Sequence, residues 1–295
     1  MLEPCSFLFV TLDSCRYDTF AAANIPNLKS LGTLHRATAP SHFTYGSHAA
    51  MFVGFTPGIP DARENYLNPK YGKIFKLDDI GFPSSGSDFV TLPGRNIIQG
   101  FNRLGYVTLG TGAVGWLDPR IRAGRTLTRD FHHYFYAGNT YSLPRQLEWS
   151  QRHLARFDGR RVFLFLNVGE THTPYYYQGA PWSPQENPCI PFSDKNEATE
   201  CRRRQTACLE FVDAQLGPLL RQFQHANILV CADHGDAWGE DGLWEHGIHH
   251  PIVMEVPLLF RLPNPPPPWK RPLWRRLGSP FKRALYRGLY QPPPE

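Results

Sequence analysis

Three short segments carry residues whose types and spacing could do chemistry. Residues 231–247 read CADHGDAWGEDGLWEHG, in which an apolar run ends in Asp233-His234. A carboxylate oxygen beside an imidazole nitrogen at a strand terminus is half of a divalent-metal site. The bland alternative is an Asx turn with a surface histidine. Residues 11–18, TLDSCRYD, place Asp13 and Arg16 directly after the apolar run Phe7-Leu8-Phe9-Val10. Asp13 could bind a metal, bind a substrate or cap the next helix. Residues 39–58, APSHFTYGSHAAMFVGFTPG, set Thr44 ahead of a buried-helix pattern that Gly54 stops. A hydroxyl there is either an N-cap or a nucleophile, placed where free N–H groups and the helix dipole favour an oxyanion.

Such residues need rigid elements to hold them. Strand-like apolar runs occur at 6–12, 106–112, 162–168, 226–232 and 256–262, and helix-like patterns at 143–157 and 196–223 alternate with them. Gly32, Gly105 and Gly159 stand where a helix would stop before the next strand. This alternation predicts an α/β fold with a central, mostly parallel sheet and helices on both faces. Ligand chemistry in such sheets sits beyond the strand C-terminal ends, where Asp13 and Asp233 fall. Residues 56–95 and 173–195 read as long irregular loops that shape a pocket. His132-His133 reads as surface or a substrate loop.

The 295 residues carry a formal net charge of +5, yet residues 270–295 hold seven Lys/Arg against one Glu. The body is therefore close to neutral, and no nucleic-acid partner is expected. The division is a domain over 1–263 and a Pro-rich basic tail over 264–295. In the tail Leu273, Leu277, Phe281, Leu285 and Leu289 recur every four residues among basic ones. That spacing suggests short amphipathic helices that pack on the domain, or a peripheral contact of residues 270–290 with an anionic membrane or acidic partner. The six cysteines form no C-x-x-C pair and read as reduced thiols, Cys189–Cys201 being the one pairing to keep open. The N-terminus lacks a basic n-region and no segment is long enough to span a bilayer, so the expected location is cytoplasmic.

Taken together and in order, these motifs resemble the alkaline phosphatase superfamily in its sulfatase-like branch with a threonine nucleophile. They are most similar to short bacterial sulfatase-like hydrolases. The family's Asp-Ser-x-Arg-x-Asp stands at Asp13-Ser14-Cys15-Arg16-Tyr17-Asp18, and its Pro-Asn-Leu at Pro26-Asn27-Leu28. Its Thr-x-x-Ser-His helix is matched by Thr44, Ser47, His48, Gly54 and Pro57, and its His-x-Pro by His172-Thr173-Pro174. The late Asp-His-Gly-x-x-x-Gly-Glu-x-Gly-Leu-Trp runs over residues 233–244. The resemblance covers residues 6 to about 262 and leaves the tail unmatched.

The resemblance implies that Asp13, Thr44, Asp233 and His234 form one metal site. Two carboxylates, an imidazole and an alkoxide suit Zn²⁺ or Mn²⁺, and metal coordination is a standard way to activate a threonine hydroxyl. Calcium-type sulfatases carry a second aspartate where Ser14 stands, and an aldehyde-forming Cys or Ser where Thr44 stands; both departures weaken a sulfatase reading. Where the family has a lysine contacting the anion, this chain has His246, which can donate a proton near neutral pH. His246 or His172 is expected to protonate the leaving group, with Arg16, His48 and His250 as substrate contacts. His246, His250 and His172 could instead complete a second metal site, but without a matching Asp one ion is expected rather than two. The implied activity is metal-dependent hydrolysis of a phosphodiester or substituted monoester, small or lipid-like, through phosphothreonine. The alternatives are sulfate ester hydrolysis and transfer of the phospho group to another acceptor.

Overall fold

The computed structural model describes residues 2–3, 5–54 and 95–263. The tail and nearly all of the 56–95 loop, with Pro57, lie outside the described residues. The body, Met1–Asn264, forms one compact unit. At its centre is a seven-stranded sheet in the order β2-β9-β6-β1-β5-β3-β4. The strands are β1 (Phe7–Leu12), β2 (His35–Thr38), β3 (Val107–Gly112), β4 (His133–Tyr136), β5 (Val162–Val168), β6 (Asn227–Ala232) and β9 (Glu255–Arg261), while β7 (Ala237–Trp238) and β8 (Trp244–Glu245) pair separately as a small antiparallel ladder. The pairings of β1, β3, β4, β5 and β6 are all parallel. β9 runs antiparallel to β6, and β2 antiparallel to β9. The mostly parallel sheet is as expected, its last predicted strand running in reverse. His133 opens the edge strand β4 and packs its ring against His153 and Phe157, so it belongs to the scaffold and not to a substrate loop.

Alternation along the strands sorts two different cores. Leu8, Val10 and Leu12 of β1 and Leu164, Leu166 and Val168 of β5 face an aliphatic layer. It is shared with α6 (Leu143–Arg156) and α7 (Ala198–Gln222) through Leu154, Leu209, Val212 and Leu216. Phe9, Phe163 and Phe165 face the other way, toward α3 (Thr44–Val53) and α4 (Ile97–Arg103). There Phe52 meets Phe165 edge-on at 5.2 Å and Phe101 stacks on Phe163 at 4.3 Å. Such pairs add about 0.5–1.5 kcal/mol each beyond burial alone. Helices thus cover both faces. Toward the C-terminal ends the aromatic face turns polar: Thr11 follows Phe7 and Phe9, and Asn167 follows Phe163 and Phe165. Those two residues begin the site.

Two short helices, α1 (Tyr17–Ala22) and α2 (Pro26–Lys29), and one more, α5 (Arg122–Thr128), complete the layers. Gly54 adopts φ +69° and closes α3 in the left-handed conformation that glycine accepts without strain. Among the described residues no helix is long and apolar enough to cross a membrane. All six cysteines are free, Cys189 and Cys201 being buried in one small cluster.

The loops after β1 and β5 are fastened by one buried side chain, Gln205 of α7. Its amide donates to the carbonyls of Ser14 (2.9 Å) and Thr171 (3.0 Å), and its oxygen accepts from the Arg16 N–H (3.3 Å). Gln205→Leu keeps the volume but orphans three buried backbone groups. Chemical denaturation should show a loss on the order of 3 kcal/mol, from about 1–3 kcal/mol per orphaned group; a change under about 1 kcal/mol would contradict this role.

Candidate active site

Strand register brings the first two carboxylates together. Leu12 of β1 lies opposite Ala232 of β6, so the next residues, Asp13 and Asp233, leave adjacent strands side by side, both fully buried. Ser14 then turns the chain at φ +58°, a conformation uncommon for a residue with a Cβ and frequent where a site is held under strain. The turn aims the Ser14 N–H at Asp233 Oδ1 (3.2 Å), which also accepts from the His234 N–H (3.0 Å).

Thr44 opens α3 at the first helical position, and the preceding residue, Phe43, makes no side-chain cap. The Thr44 hydroxyl does not cap the helix. Its Oγ1 stands 3.4 Å from each Asp13 oxygen and 3.3 Å from His234 Nε2. Ser47, one turn on, pins the helix by donating to the carbonyls of Asp233 (2.7 Å) and Ser41 (3.0 Å). Asn167 donates to Asp13 Oδ2 at 3.3 Å, and Thr171 donates to the Asp13 carbonyl at 2.6 Å.

The four residues Asp13, Thr44, Asp233 and His234 thus meet as the resemblance implies. His234 Nε2 is 3.9 Å from Asp13 Oδ1 and 3.7 Å from Asp233 Oδ2. Ligands about 2.0 Å from a tetrahedral zinc stand roughly 3.3 Å apart, so these separations suit one small cation with modest contraction. Two further observations fit that assignment. Asp233 Oδ2 is buried with no hydrogen-bond partner, which is costly unless something else satisfies it. Burial, then the proximity of Asp13, push the Asp233 carboxyl well above the usual carboxylate range, while burial and the nearby His246 depress His234 to about 3. His234 is therefore a neutral imidazole with Nδ1–H donated to the Gly235 carbonyl (3.0 Å), leaving Nε2 as a ligand atom.

A second constellation adjoins the first. His246 Nδ1 donates to Asp236 Oδ1 at 2.7 Å, and its ring lies 4.4 Å from that of His234 and 5.2 Å from that of His172. Burial opposes charge on both partners, but their mutual attraction prevails. It raises His246 to about 8 and holds Asp236 below the usual carboxylate range. His234, Asp236 and His246 can also hold a cation. Asp236 is the residue sequence reasoning missed; it stands three positions after Asp233 in CADHGDAWG. Burial, and then the nearby His249 and His246, disfavour charge on His42, which was likewise not singled out.

Three expected substrate contacts are placed otherwise. The Arg16 guanidinium is 2% exposed and engaged with Asp18 (2.9 Å, bidentate), Glu240 (2.7 Å) and the Asp236 carbonyl (3.2 Å), over the ring of Trp238. Opposite charges on each side neutralise it, and it braces the site from below. His48 is fully buried, donating Nδ1–H to the Thr44 carbonyl (2.8 Å) and accepting from Thr11 Oγ1 at Nε2 (3.0 Å). It therefore supports the first turn of α3 and is not available to a substrate. His250 accepts from the Ile252 N–H and caps α8 (Pro251–Met254), while its Nε2 pairs with Asp241 (3.1 Å). It joins neither cluster. Glu170, two residues before His172, accepts from the Leu143 N–H (2.8 Å) at the start of α6; burial pushes it to about 7.

Uptake of a divalent cation must displace the proton that burial favours on Asp233. Calorimetry in buffers of different ionisation enthalpy should show proton release on Zn²⁺ binding near neutral pH. Asp233→Asn, a weaker ligand, should lower the affinity at least tenfold. Unchanged stoichiometry and affinity in that variant would remove Asp233 from the metal shell.

No family model matches the chain. The phosphoethanolamine transferase EptA of Escherichia coli K12 is 28% identical over 127 residues, which is 38% of this chain and only 23% of that protein. Among solved structures, the C-terminal periplasmic domain of EptC from Escherichia coli in complex with Zn superposes with a TM-score of 0.59 at 12% identity, covering 89% of this chain and 74% of that one. The phosphonate monoester hydrolase of Agrobacterium radiobacter superposes with a TM-score of 0.58 at 15% identity, covering 88% of this chain and 68% of that one. A Vibrio parahaemolyticus protein in the alkaline phosphatase superfamily superposes with a TM-score of 0.53 at 14% identity, covering 88% of this chain and 62% of that one. The chain shares the fold of these structures, and the sulfatase-like resemblance read from the motifs fits that fold.

Proposed function

We propose that this protein cleaves a substituted phosphate ester by moving its phospho group onto Thr44. One observation carries the reading: Thr44 Oγ1 stands within 3.4 Å of both Asp13 oxygens and of His234 Nε2, at the N-terminus of a ten-residue helix. A hydroxyl held there is aimed for reaction, whereas a cap would point at its own helix. Asp13, Thr44, Asp233 and His234 would hold a divalent cation, zinc or manganese. Such a cation supplies a lowered hydroxyl pKa and neutralises charge on a phosphate oxygen.

Thr44 Oγ attacks phosphorus while its own proton passes to Asp13, toward whose oxygens it points at 3.4 Å. The P–O bond to the alcohol breaks, and that bond's electron pair leaves on the alcohol oxygen. The His246 Nε2 proton passes to that oxygen, while Nδ1–H stays on Asp236. His172, whose Nδ1 donates to the Thr173 carbonyl at 2.7 Å, borders the same space and contacts the departing group. Water then attacks the phosphothreonine and returns a proton to His246 Nε2. The bond from phosphorus to Thr44 Oγ breaks, and that oxygen takes back the proton held by Asp13, releasing product and restoring Thr44. A second reading changes only the acceptor, an alcohol replacing water. The proteins it resembles include both outcomes by name, phosphoethanolamine transferases and a phosphonate monoester hydrolase. Those names also support a substrate with a small or lipid-borne alcohol. Analysis of products with and without alcohol acceptors separates the two.

Purified, metal-loaded protein should turn over aryl phosphodiesters faster than the matching aryl sulfate, because Thr44 cannot form the sulfatase aldehyde and Ser14 removes a calcium-type carboxylate. Thr44→Ala should lose at least about a thousandfold while keeping its fold, measured at saturating metal so that Asp13, Asp233 and His234 still hold the cation. A reversed ester preference would return sulfate chemistry to first place, and an active Thr44→Ala variant would sink the nucleophile.

A further inference from the structure

Behind His246 runs a buried chain of hydrogen bonds that the proposed reaction has not yet used. Trp238 Nε1–H donates to the Tyr175 hydroxyl (2.7 Å), Tyr175 donates to Asp236 Oδ2 (2.7 Å), and His246 Nδ1–H donates to Asp236 Oδ1 (2.7 Å). The direction of this chain is fixed by its first member. An indole N–H can only donate, so the Tyr175 oxygen accepts from Trp238 and spends its own proton on Asp236. Both Asp236 oxygens are then acceptors, and the imidazole must present N–H at Nδ1. Nε2 is thereby left as the free nitrogen of a ring that lies 4.4 Å from that of His234 and 5.2 Å from that of His172.

The surroundings make this arrangement single-valued. Tyr175 is completely buried, among Cys189, Cys201, Cys208 and Trp238, and the Asp236 side chain is equally inaccessible. Burial raises the Tyr175 phenol well above its ordinary range, so the hydroxyl remains a donor. Tyr175 also adopts φ +58°, a strained conformation for a bulky residue, retained only where its surroundings impose it. The imposing contacts are visible. Its N–H donates to the His172 carbonyl (2.8 Å) and its carbonyl accepts from Trp182 Nε1 (2.9 Å). One strained residue therefore joins the His172 turn to the carboxylate that holds His246.

We propose that Tyr175, acting through Asp236, is a positioning residue that holds His246 in the orientation needed to protonate the leaving alcohol. The inference rests on the reading of His246 as proton donor. Tyr175→Phe deletes one hydroxyl, leaving Asp236 Oδ2 bare and the imidazole loosely held. A positioned proton matters most when the leaving alkoxide is basic and least when it is already stable, so the defect must depend on the leaving group.

The test is the turnover of zinc-loaded protein on aryl phosphodiesters from 4-nitrophenyl to unsubstituted phenyl leaving groups. Tyr175→Phe should lose less than about threefold on the nitrophenyl ester and about tenfold or more on the phenyl ester. The loss should fall in kcat, with KM little changed, and His246→Asn should show the same steepening more strongly. A parallel loss across the series in Tyr175→Phe, or none, beside a steepened His246→Asn overturns the positioning role alone. A flat series in His246→Asn instead overturns the proton-donor reading on which it stands. Should Tyr175→Phe fail to fold, Trp238→Phe keeps an aromatic ring, smaller than the indole, and removes the N–H. It should steepen the dependence in the same direction, and a flat dependence in it overturns the proposal.

Discussion

Two carboxylates are buried side by side at the ends of neighbouring strands, and much of the structure follows from having to tolerate them. The register of β1 on β6, Leu12 opposite Ala232, leaves Asp13 and Asp233 no way to separate. An unpaired carboxylate in such a place costs several kcal/mol. Nearby groups offset part of that. The N–H groups of Ser14 and His234 point at Asp233, and Asn167 and Thr44 reach Asp13. Yet Asp233 Oδ2 has no donor, and His234 is held neutral so that it brings no charge of its own. The arrangement is one of stored electrostatic cost, which a divalent cation would relieve.

The second charged pair solves a different problem by a different route. Asp236 and His246 neutralise each other within one hydrogen bond, so their pairing needs nothing from outside. The site therefore divides into a part that awaits a positive charge and a part already balanced, 4.4 Å apart at the rings of His234 and His246. Arg16 belongs to neither. Between Asp18 and Glu240 it forms its own closed network, which depresses Asp18 to about 2 against the burial that opposes it and ties the first loop to the segment after Trp238.

The sheet was legible because its central strands are continuous apolar runs, and because glycines at the helix ends mark where each run begins. The strands at 35–38 and 133–136 were not, since edge strands reading HRAT and HYFY are half-exposed and carry no apolar period. At the site, Asp13, Thr44, Asp233 and His234 were legible because strand ends and a helix start have fixed places in this kind of fold. Arg16, His48 and His250 were assigned too near the substrate. Spacing shows that a side chain is present, and not that Asp18, Thr11 or Asp241 has already consumed its hydrogen bonds. Asp236 was missed for the converse reason: nothing in its local sequence announces that His246, ten residues later, folds back onto it.

The central claim is that Thr44 becomes covalently bonded to phosphorus during turnover. Its most direct test is rapid acid quenching of the metal-loaded protein with an aryl phosphodiester, followed by mass spectrometry of the peptide containing residues 37–54. A phosphorus-bearing adduct on Thr44 that forms and decays within the time of a turnover is the result predicted here. Steady turnover with no adduct on Thr44 at any quench time, and product phosphorus that inverts its configuration in a single displacement, would contradict it.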